Sequence, residues 1–112
     1  MTEQQTAIIA RIEAATGAND DIDLAIATWC YENGGLLGVT YDPQMWIIRH
    51  GGEFTRSLDW AVRLVPDGWR WICDGDGNAT LLPCDQPGGP VNVHAATAPL
   101  ALCLAALKAW WA

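Results

Sequence analysis

The apolar residues of this chain follow two different periods, and their order limits the folds that the chain can form. Residues 69–73 alternate large apolar side chains with Arg70, as in a half-buried strand. Toward both ends, apolar residues instead recur every three to four positions, which is the period of an amphipathic helix. These helical stripes are Ile8, Ile12 and Ala15 near the start, and Leu100, Cys103, Leu104, Leu107 and Trp111 near the end.

Cap residues divide the helical segments from one another. Asn19, Ser57 and Thr97 each offer a side-chain oxygen to the free N–H groups that begin a helix. Gly17 is expected to end the first helix in the left-handed conformation, and Pro99 is tolerated in the first turn of the last helix. The predicted helices run from Glu3 to Ala15, from Asn19 or Asp20 to Asn33, from Leu58 to Val65 (with Leu58, Ala61, Val62 and Val65 inward), and from Thr97 to the end.

Turn residues frame the predicted strands. Pro66-Asp67-Gly68 precedes the strand at residues 69–73, and residues 74–78 (DGDGN) turn the chain into a second strand, Ala79 to Leu82. The short connection predicts an antiparallel hairpin. Val91 to His94 is a predicted third strand.

Residues 36–56 carry conflicting signals. Trp46-Ile47-Ile48 is rich in β-prone residues, and Val39-Thr40-Tyr41 resembles another short strand. Gly38, Pro43 and Gly51-Gly52 interrupt both runs. We expect an irregular loop with at most one edge strand.

Taken together, the elements predict one α+β domain over residues 1–112. Four blocks of the sequence also resemble the phage ABA sandwich domain, a family of small phage and prophage proteins. The blocks are RIEAATG at 11–17, DLAIA at 23–27, SLDWAVRLVPDGWRW at 57–71 and ATAPLALCLAALKA at 96–109. The resemblance implies an α-β-α layered sandwich, with a small antiparallel sheet covered by amphipathic helices, and a viral origin. It implies no activity and assigns no functional residue. The Trp-bearing segment before Gly51 departs from the family pattern.

Charge and composition narrow the partners. The chain has 6 basic and 13 acidic residues, a net charge of −7, which repels the phosphate backbone of long nucleic acids. No apolar run is long enough to cross a membrane, and MTEQQ lacks the basic start of a signal peptide. The four cysteines are far apart and predict reduced thiols. We therefore expect an intracellular protein, and the resemblance to phage proteins implies the cytoplasm of an infected bacterial host.

No catalytic or metal motif is evident. His50 and His94 stand outside any nucleophile motif, and the cysteines lack the paired spacing of a zinc site. Residues 74–78 resemble the start of a calcium loop with Asp85 at its twelfth position, but Ala79 replaces the glycine that such a loop needs for its sharp turn. A hairpin turn explains the segment without calcium. We predict neither an enzyme nor a cofactor or metal site.

Seven tryptophans are the strongest functional signal in the sequence. A core of this size cannot hide seven indoles and pair every indole N–H, so some should reach the surface. The simplest interpretation buries most of them in the core or a dimer interface. A sharper one stacks a planar base between tryptophans, with nearby arginines on its phosphates. The predicted ligand site is Trp46, Arg49, Arg56, Trp69, Arg70 and Trp71, and the predicted oligomer interface is Trp110 and Trp111.

These observations leave several functions open. The first hypothesis is a non-catalytic phage protein that counters host defence by sequestering a small nucleotide-type immune signal. A small anion held in a local basic pocket is compatible with the net charge of −7, unlike a long polyanion. Its alternative binds a host defence protein directly. A virion structural or assembly protein is a further alternative, and an unrecognised hydrolase is the least supported. A homo-oligomer is expected in each case.

Overall fold

A computed structural model of the chain describes residues 1–84 and 87–111. These residues form helices and a small antiparallel sheet, which confirms the expected α+β class. The helices are α1 (Glu3–Ala14), α2 (Asp20–Glu32), α3 (Pro43–His50), α4 (Leu58–Val62) and α5 (Ala98–Trp110), with a short 3-10 turn at Leu36–Gly38. The strands are β1 (Trp69–Cys73), β2 (Asn78–Pro83) and β3 (Val91–His94).

The helix starts follow the predicted caps in two of three cases. The side chain of Asn19 accepts a hydrogen bond from the Ile22 N–H at 3.0 Å, and that of Thr97 accepts one from the Leu100 N–H at 3.4 Å. Ser57 occupies the N-cap position of α4, but its side chain makes no capping hydrogen bond. Local cap chemistry therefore places α2 and α5 from the sequence alone.

Two predicted helix ends were wrong. The first helix ends at Ala14, because Ala15 is already extended, and Gly17 does not adopt the left-handed conformation assigned to it. The third predicted helix ends at Val62 rather than Val65, and Leu58 on its first turn is exposed rather than inward. Leu64, beyond the helix, is buried in its place.

The predicted irregular loop at residues 36–56 was also wrong, because it contains α3. The Asp42 carboxylate accepts a hydrogen bond from the Gln44 N–H at 2.9 Å, and Pro43 occupies the first turn, where its missing N–H costs nothing. Gly51, with φ +101°, ends the helix. These punctuating residues and the burial of Trp46 outweigh the β preference of Ile47 and Ile48. Val39 to Tyr41 forms no strand either.

Helix α5 is the centre of the fold. Its residues 100–107 are all buried, because α5 packs on the sheet on one side and on α1 and α4 on the other. The layers therefore run from the sheet, through α5, to the outer helices. In the described part of the chain, α5 is the helix that contacts the sheet, and it covers one sheet face.

A buried hydrogen-bonded pair links α2 to the segment before α4. The Asp23 carboxylate is buried and accepts hydrogen bonds from the backbone N–H and the hydroxyl of Thr55, each at 2.8 Å. Burial raises the pKa of Asp23 above its usual range, although the Thr55 hydrogen bonds oppose the shift.

This pair has a testable pH dependence. Because the pKa of Asp23 is raised in the folded state, its contribution to stability is largest at acidic pH and falls as pH rises through the raised value. Asp23→Asn keeps an acceptor for Thr55 without the buried charge, so chemical denaturation should show a weaker fall in stability from pH 4 toward neutrality. Asp23→Ala leaves the Thr55 donors unsatisfied and should cost about 2 kcal/mol. Identical pH slopes for Asp23→Asn and the parent would contradict this account.

Candidate functional site

The sheet has one face that no described helix covers, which we call the outer sheet face. Alternation along the strands separates it from the face that packs on α5, where Ala79 and Leu81 are buried. Its most exposed apolar side chain is Ile72, at 62% exposure, and Leu82 is also exposed. The face comprises Arg70, Ile72, Asn78, Thr80, Leu82, Asn92 and His94.

The outer sheet face differs in charge from the rest of the chain. The three strands contain no acidic residue, although the protein carries 13 of them. Neutral polar side chains of this face pair with one another: the Thr80 hydroxyl donates to the Asn92 amide oxygen at 2.8 Å, and the His94 Nδ1 atom lies 3.2 Å from the Asn78 amide oxygen. Among the strand residues of this face, Arg70 is therefore a cation among apolar and neutral groups, and the nearby Asp74 carboxylate lies at the turn, bonded to the Asn78 side chain at 3.1 Å.

Strand β1 forms a free edge of this sheet. The sheet order is β1-β2-β3, so β1 has a described neighbour on one side. Hydrogen bonds from the Asp74 N–H to the Asn78 carbonyl (3.1 Å) and from the Cys84 N–H to the Gly68 carbonyl (2.8 Å) set the pairing phase with β2. Along an antiparallel strand, the backbone N–H and C=O groups of alternate residues point toward the same neighbour. Residues 70 and 72 therefore bond to β2, and the backbone groups of residues 69, 71 and 73 point away from it. We call this row the β1 edge.

The acidic turn at residues 74–78 closes the β1–β2 hairpin. One oxygen of the Asp74 carboxylate accepts hydrogen bonds from the backbone N–H of Asp76 at 2.9 Å and of Asn78 at 3.1 Å. These bonds, led by the one from Asn78, lower the pKa of Asp74. The Asp74 carboxylate thus accepts hydrogen bonds from the backbone of its own turn, which is the usual role of an aspartate in a hairpin turn. Asp85, the twelfth position of the calcium-like pattern, lies outside the described residues, and the described ones include no cluster of three metal-binding side chains.

Trp46 is a core residue in the structure, at 3% exposure. Its ring stacks on Phe54, with centroids 6.3 Å apart, and meets the edge of Trp60 at 5.6 Å. Its ring faces are therefore covered by the protein itself. Arg49 and Arg56, the other predicted ligand residues of this region, lie near the Tyr41 ring (6.0 Å) and near Asp20 (3.8 Å).

The remaining predicted ligand residues lie on β1, away from α3. Among the described residues, α3 makes no contact with the sheet. Trp69 and Trp71 share the face toward α5, and Trp71 is 40% exposed at the sheet's edge. Arg70 points to the opposite face. The six residues of the predicted ligand site are therefore distributed over separate surfaces.

Trp110 and Trp111 pack within the chain. Both meet Trp29 edge to face, with centroids at 5.7 and 5.2 Å, and the Trp110 indole N–H donates to the Leu64 carbonyl at 2.7 Å. Trp110 is still partly exposed. Among the described residues, the indole N–H groups of Trp29 and Trp111 are buried without a hydrogen-bond partner. The predicted oligomer interface at residues 110 and 111 stays a prediction.

A shallow depression of about 280 Å³ lies on the outside of α3. Tyr41, Asp42, Met45 and Arg49 line it. The Tyr41 hydroxyl lies 3.1 Å from the His50 ring nitrogen, which holds the tyrosine ring against the helix. The depression combines an aromatic face with one cation, but it also contains a carboxylate.

The cysteines and histidines show no paired nucleophile and base. Burial raises the pKa of the Cys30 thiol to about 12 and that of Cys103 further still, so both thiols stay protonated at neutral pH. His50 contacts Tyr41, and His94 contacts Asn78. In the described chain, the hydrogen bonds of both histidines therefore go to groups other than a serine or a cysteine.

Sequence reasoning missed Ile72 and Leu82 as surface residues. The signal was available in the alternation of β1, because a strand that turns Trp69 and Trp71 toward a helix must turn Arg70 and Ile72 the other way. The absence of acidic residues from all three strands was a second signal.

Comparisons with protein-family models, with curated proteins and with solved structures found no match to this chain. Among the described residues, no helix has the length and apolar character needed to cross a membrane.

Proposed function

We propose that this protein is a non-catalytic binding protein that engages another protein through its outer sheet face. The observation that carries the proposal is the uncovered sheet face itself, with Ile72 exposed on its edge strand β1 and Leu82 exposed on β2. An uncovered sheet face that combines exposed apolar side chains with neutral polar ones is suited to a protein contact, whereas small-molecule sites are concave.

The charge of the outer sheet face indicates the chemistry of the partner. Arg70 lies beside Ile72 and Leu82, and the strand residues of this face include no carboxylate. The Asp74 carboxylate lies at the turn end of the face, where it accepts a hydrogen bond from the Asn78 side-chain amide. A matching surface would carry an apolar patch with a carboxylate at its margin, because an Arg–carboxylate pair gives directional hydrogen bonds. The chain as a whole has a net charge of −7, so other docking orientations would bring its acidic surfaces toward an acidic partner and would be disfavoured.

The resemblance to phage ABA sandwich proteins supplies a biological setting for this proposal. In that setting the partner is a host defence protein, and binding occludes its working surface. Sequestration of a nucleotide-type signal has less support, because its predicted residues are distributed over separate surfaces. A partner within the virion would instead support the structural alternative.

Site-specific photo-crosslinking tests the proposal. A photoreactive amino acid at position 82, on the outer sheet face, should form an adduct with one different protein when the chain is expressed in its host. The matched control is position 48 on α3, because Ile48 is also exposed and apolar. Adducts of equal yield at both positions, or no adduct with a different protein at position 82, would overturn the proposal.

The depression beside Tyr41 favours a second candidate, a small aromatic anion held by Arg49. Thermal-shift measurements with cyclic nucleotides and ADP-ribose as probes should then raise the melting temperature. The rise should disappear in Arg49→Ala and persist in Arg11→Ala, a change at an exposed arginine outside the depression. No rise with any probe would count against this candidate.

A further inference from the structure

We infer that two copies of this chain pair through the β1 edge, antiparallel, about a twofold axis at Ile72. The inference goes beyond the proposed function, because it assigns the edge of the sheet rather than its outer face. The edge offers a row of backbone donors and acceptors that the described chain leaves to solvent. Such a row is a template for pairing with another strand.

The backbone phase restricts how two β1 strands can meet. The outward-pointing residues are 69, 71 and 73, so hydrogen-bonded pairs must join these positions. An axis at Ile72 pairs Trp71 of one copy with Cys73 of the other, twice by symmetry. The two Ile72 side chains then face each other as a non-hydrogen-bonded pair, in which side chains lie closest.

Side-chain charge selects among the registers that the backbone allows. An axis at Arg70 would place two arginines opposite each other, and an axis at Trp71 would place Arg70 opposite Ile72. With the axis at Ile72, Arg70 of each copy faces Asp74 of the other. The lowered pKa of Asp74 keeps its carboxylate charged. Among the described residues, the ion pair joins Arg56 to Asp20, so Arg70 is available to pair with a carboxylate of the second copy. Opposite charges across a strand pair are stabilising, and like charges are destabilising.

The pairing would also cover exposed apolar surface. Ile72 is 62% exposed and Trp71 is 40% exposed in the single chain. In the dimer, Ile72 lies opposite Ile72 of the second copy and Trp71 lies opposite its Cys73. Cross-strand pairs of aromatic and β-branched side chains stabilise a sheet. The result is a continuous six-stranded sheet, with two outer sheet faces joined side by side.

Cysteine scanning of the purified protein tests the register. In a Cys73→Ser, Cys84→Ser background, Ile72→Cys should form an intermolecular disulfide under mild oxidation. The reason is that the two residues at the axis lie about 4.5 Å apart between Cα atoms, within disulfide reach. Arg70→Cys and Trp71→Cys are matched controls and should crosslink far less. Preferential crosslinking of either control would overturn this register.

Sedimentation velocity tests the dimer itself. The unmodified chain should sediment at twice its monomer mass, as should Trp71→Ala, which keeps the backbone N–H. Trp71→Pro removes that donor from the edge while sparing the bonds to β2, so it should sediment as a folded monomer. A monomeric parent chain at the highest concentration reached would overturn the inference. Both experiments use the chain alone, so they can fail while a different protein still crosslinks at position 82.

Discussion

Replacing Trp46 with alanine should lower the free energy of unfolding by about 4 kcal/mol, the usual cost of removing a large aromatic side chain from a core. The ring fills the space between Phe54 and Trp60 and lies against Gly52, where an added Cβ would already be too close to it. These neighbours come from separate segments, so they cannot easily collapse into the cavity. Chemical denaturation followed by far-ultraviolet circular dichroism measures the loss.

Trp71→Ala is the matched control for this change. The same side chain is removed, but from a position that is 40% exposed at the sheet's edge. At low protein concentration, where any dimer dissociates, the cost should be about 1 kcal/mol or less. Equal losses for the two variants would contradict the assignment of Trp46 to the core and of Trp71 to the surface.

Gly77→Ala should cost about 3 kcal/mol, because it combines backbone strain with overlap in a packed site. Gly77 has φ +86°, and a Cβ there would overlap the carbonyl oxygen of Ala95. The Gly77 carbonyl also accepts the Ala95 N–H at 2.9 Å, which joins the β1–β2 turn to the segment that leads into α5. Relief of the overlap must therefore move backbone rather than a side chain.

Gly75→Ala provides the control within the same turn. An added Cβ at Gly75 meets nothing within 4 Å, and its φ lies outside the left-handed range. We expect a change of about 0.5 kcal/mol or less in thermal or chemical denaturation. A Gly77→Ala variant as stable as Gly75→Ala would show that the turn and Ala95 are not packed as described.

Elements specified by neighbouring residues could be predicted from the sequence. Asn19 and Thr97 cap helices within three residues of themselves, and the turn at 74–78 closes a hairpin of adjacent strands. Helix α3 could not be predicted in the same way. Its Ile47 and Ile48 favour a strand locally, and the contact that holds the helix, Trp46 against Phe54 and Trp60, comes from outside it.

The candidate site was harder to predict for the same physical reason. A tryptophan is large enough to be either core or contact surface, and composition does not separate the two. Trp46 and Trp71 differ in the layer that covers them, which depends on where α5 and the aromatic cluster lie. The outer sheet face can be identified only when the position of α5 on one side of the sheet is known.

The most direct test of the central claim is the affinity of the purified chain for the protein recovered by crosslinking at position 82. Arg70→Glu, which reverses a charge on the outer sheet face, should weaken binding about tenfold or more. Arg11→Glu makes the same change in net charge at an exposed site on α1 and should leave the affinity nearly unchanged. Equal weakening by both variants, or no effect of Arg70→Glu, would contradict the assignment of the outer sheet face as the binding surface.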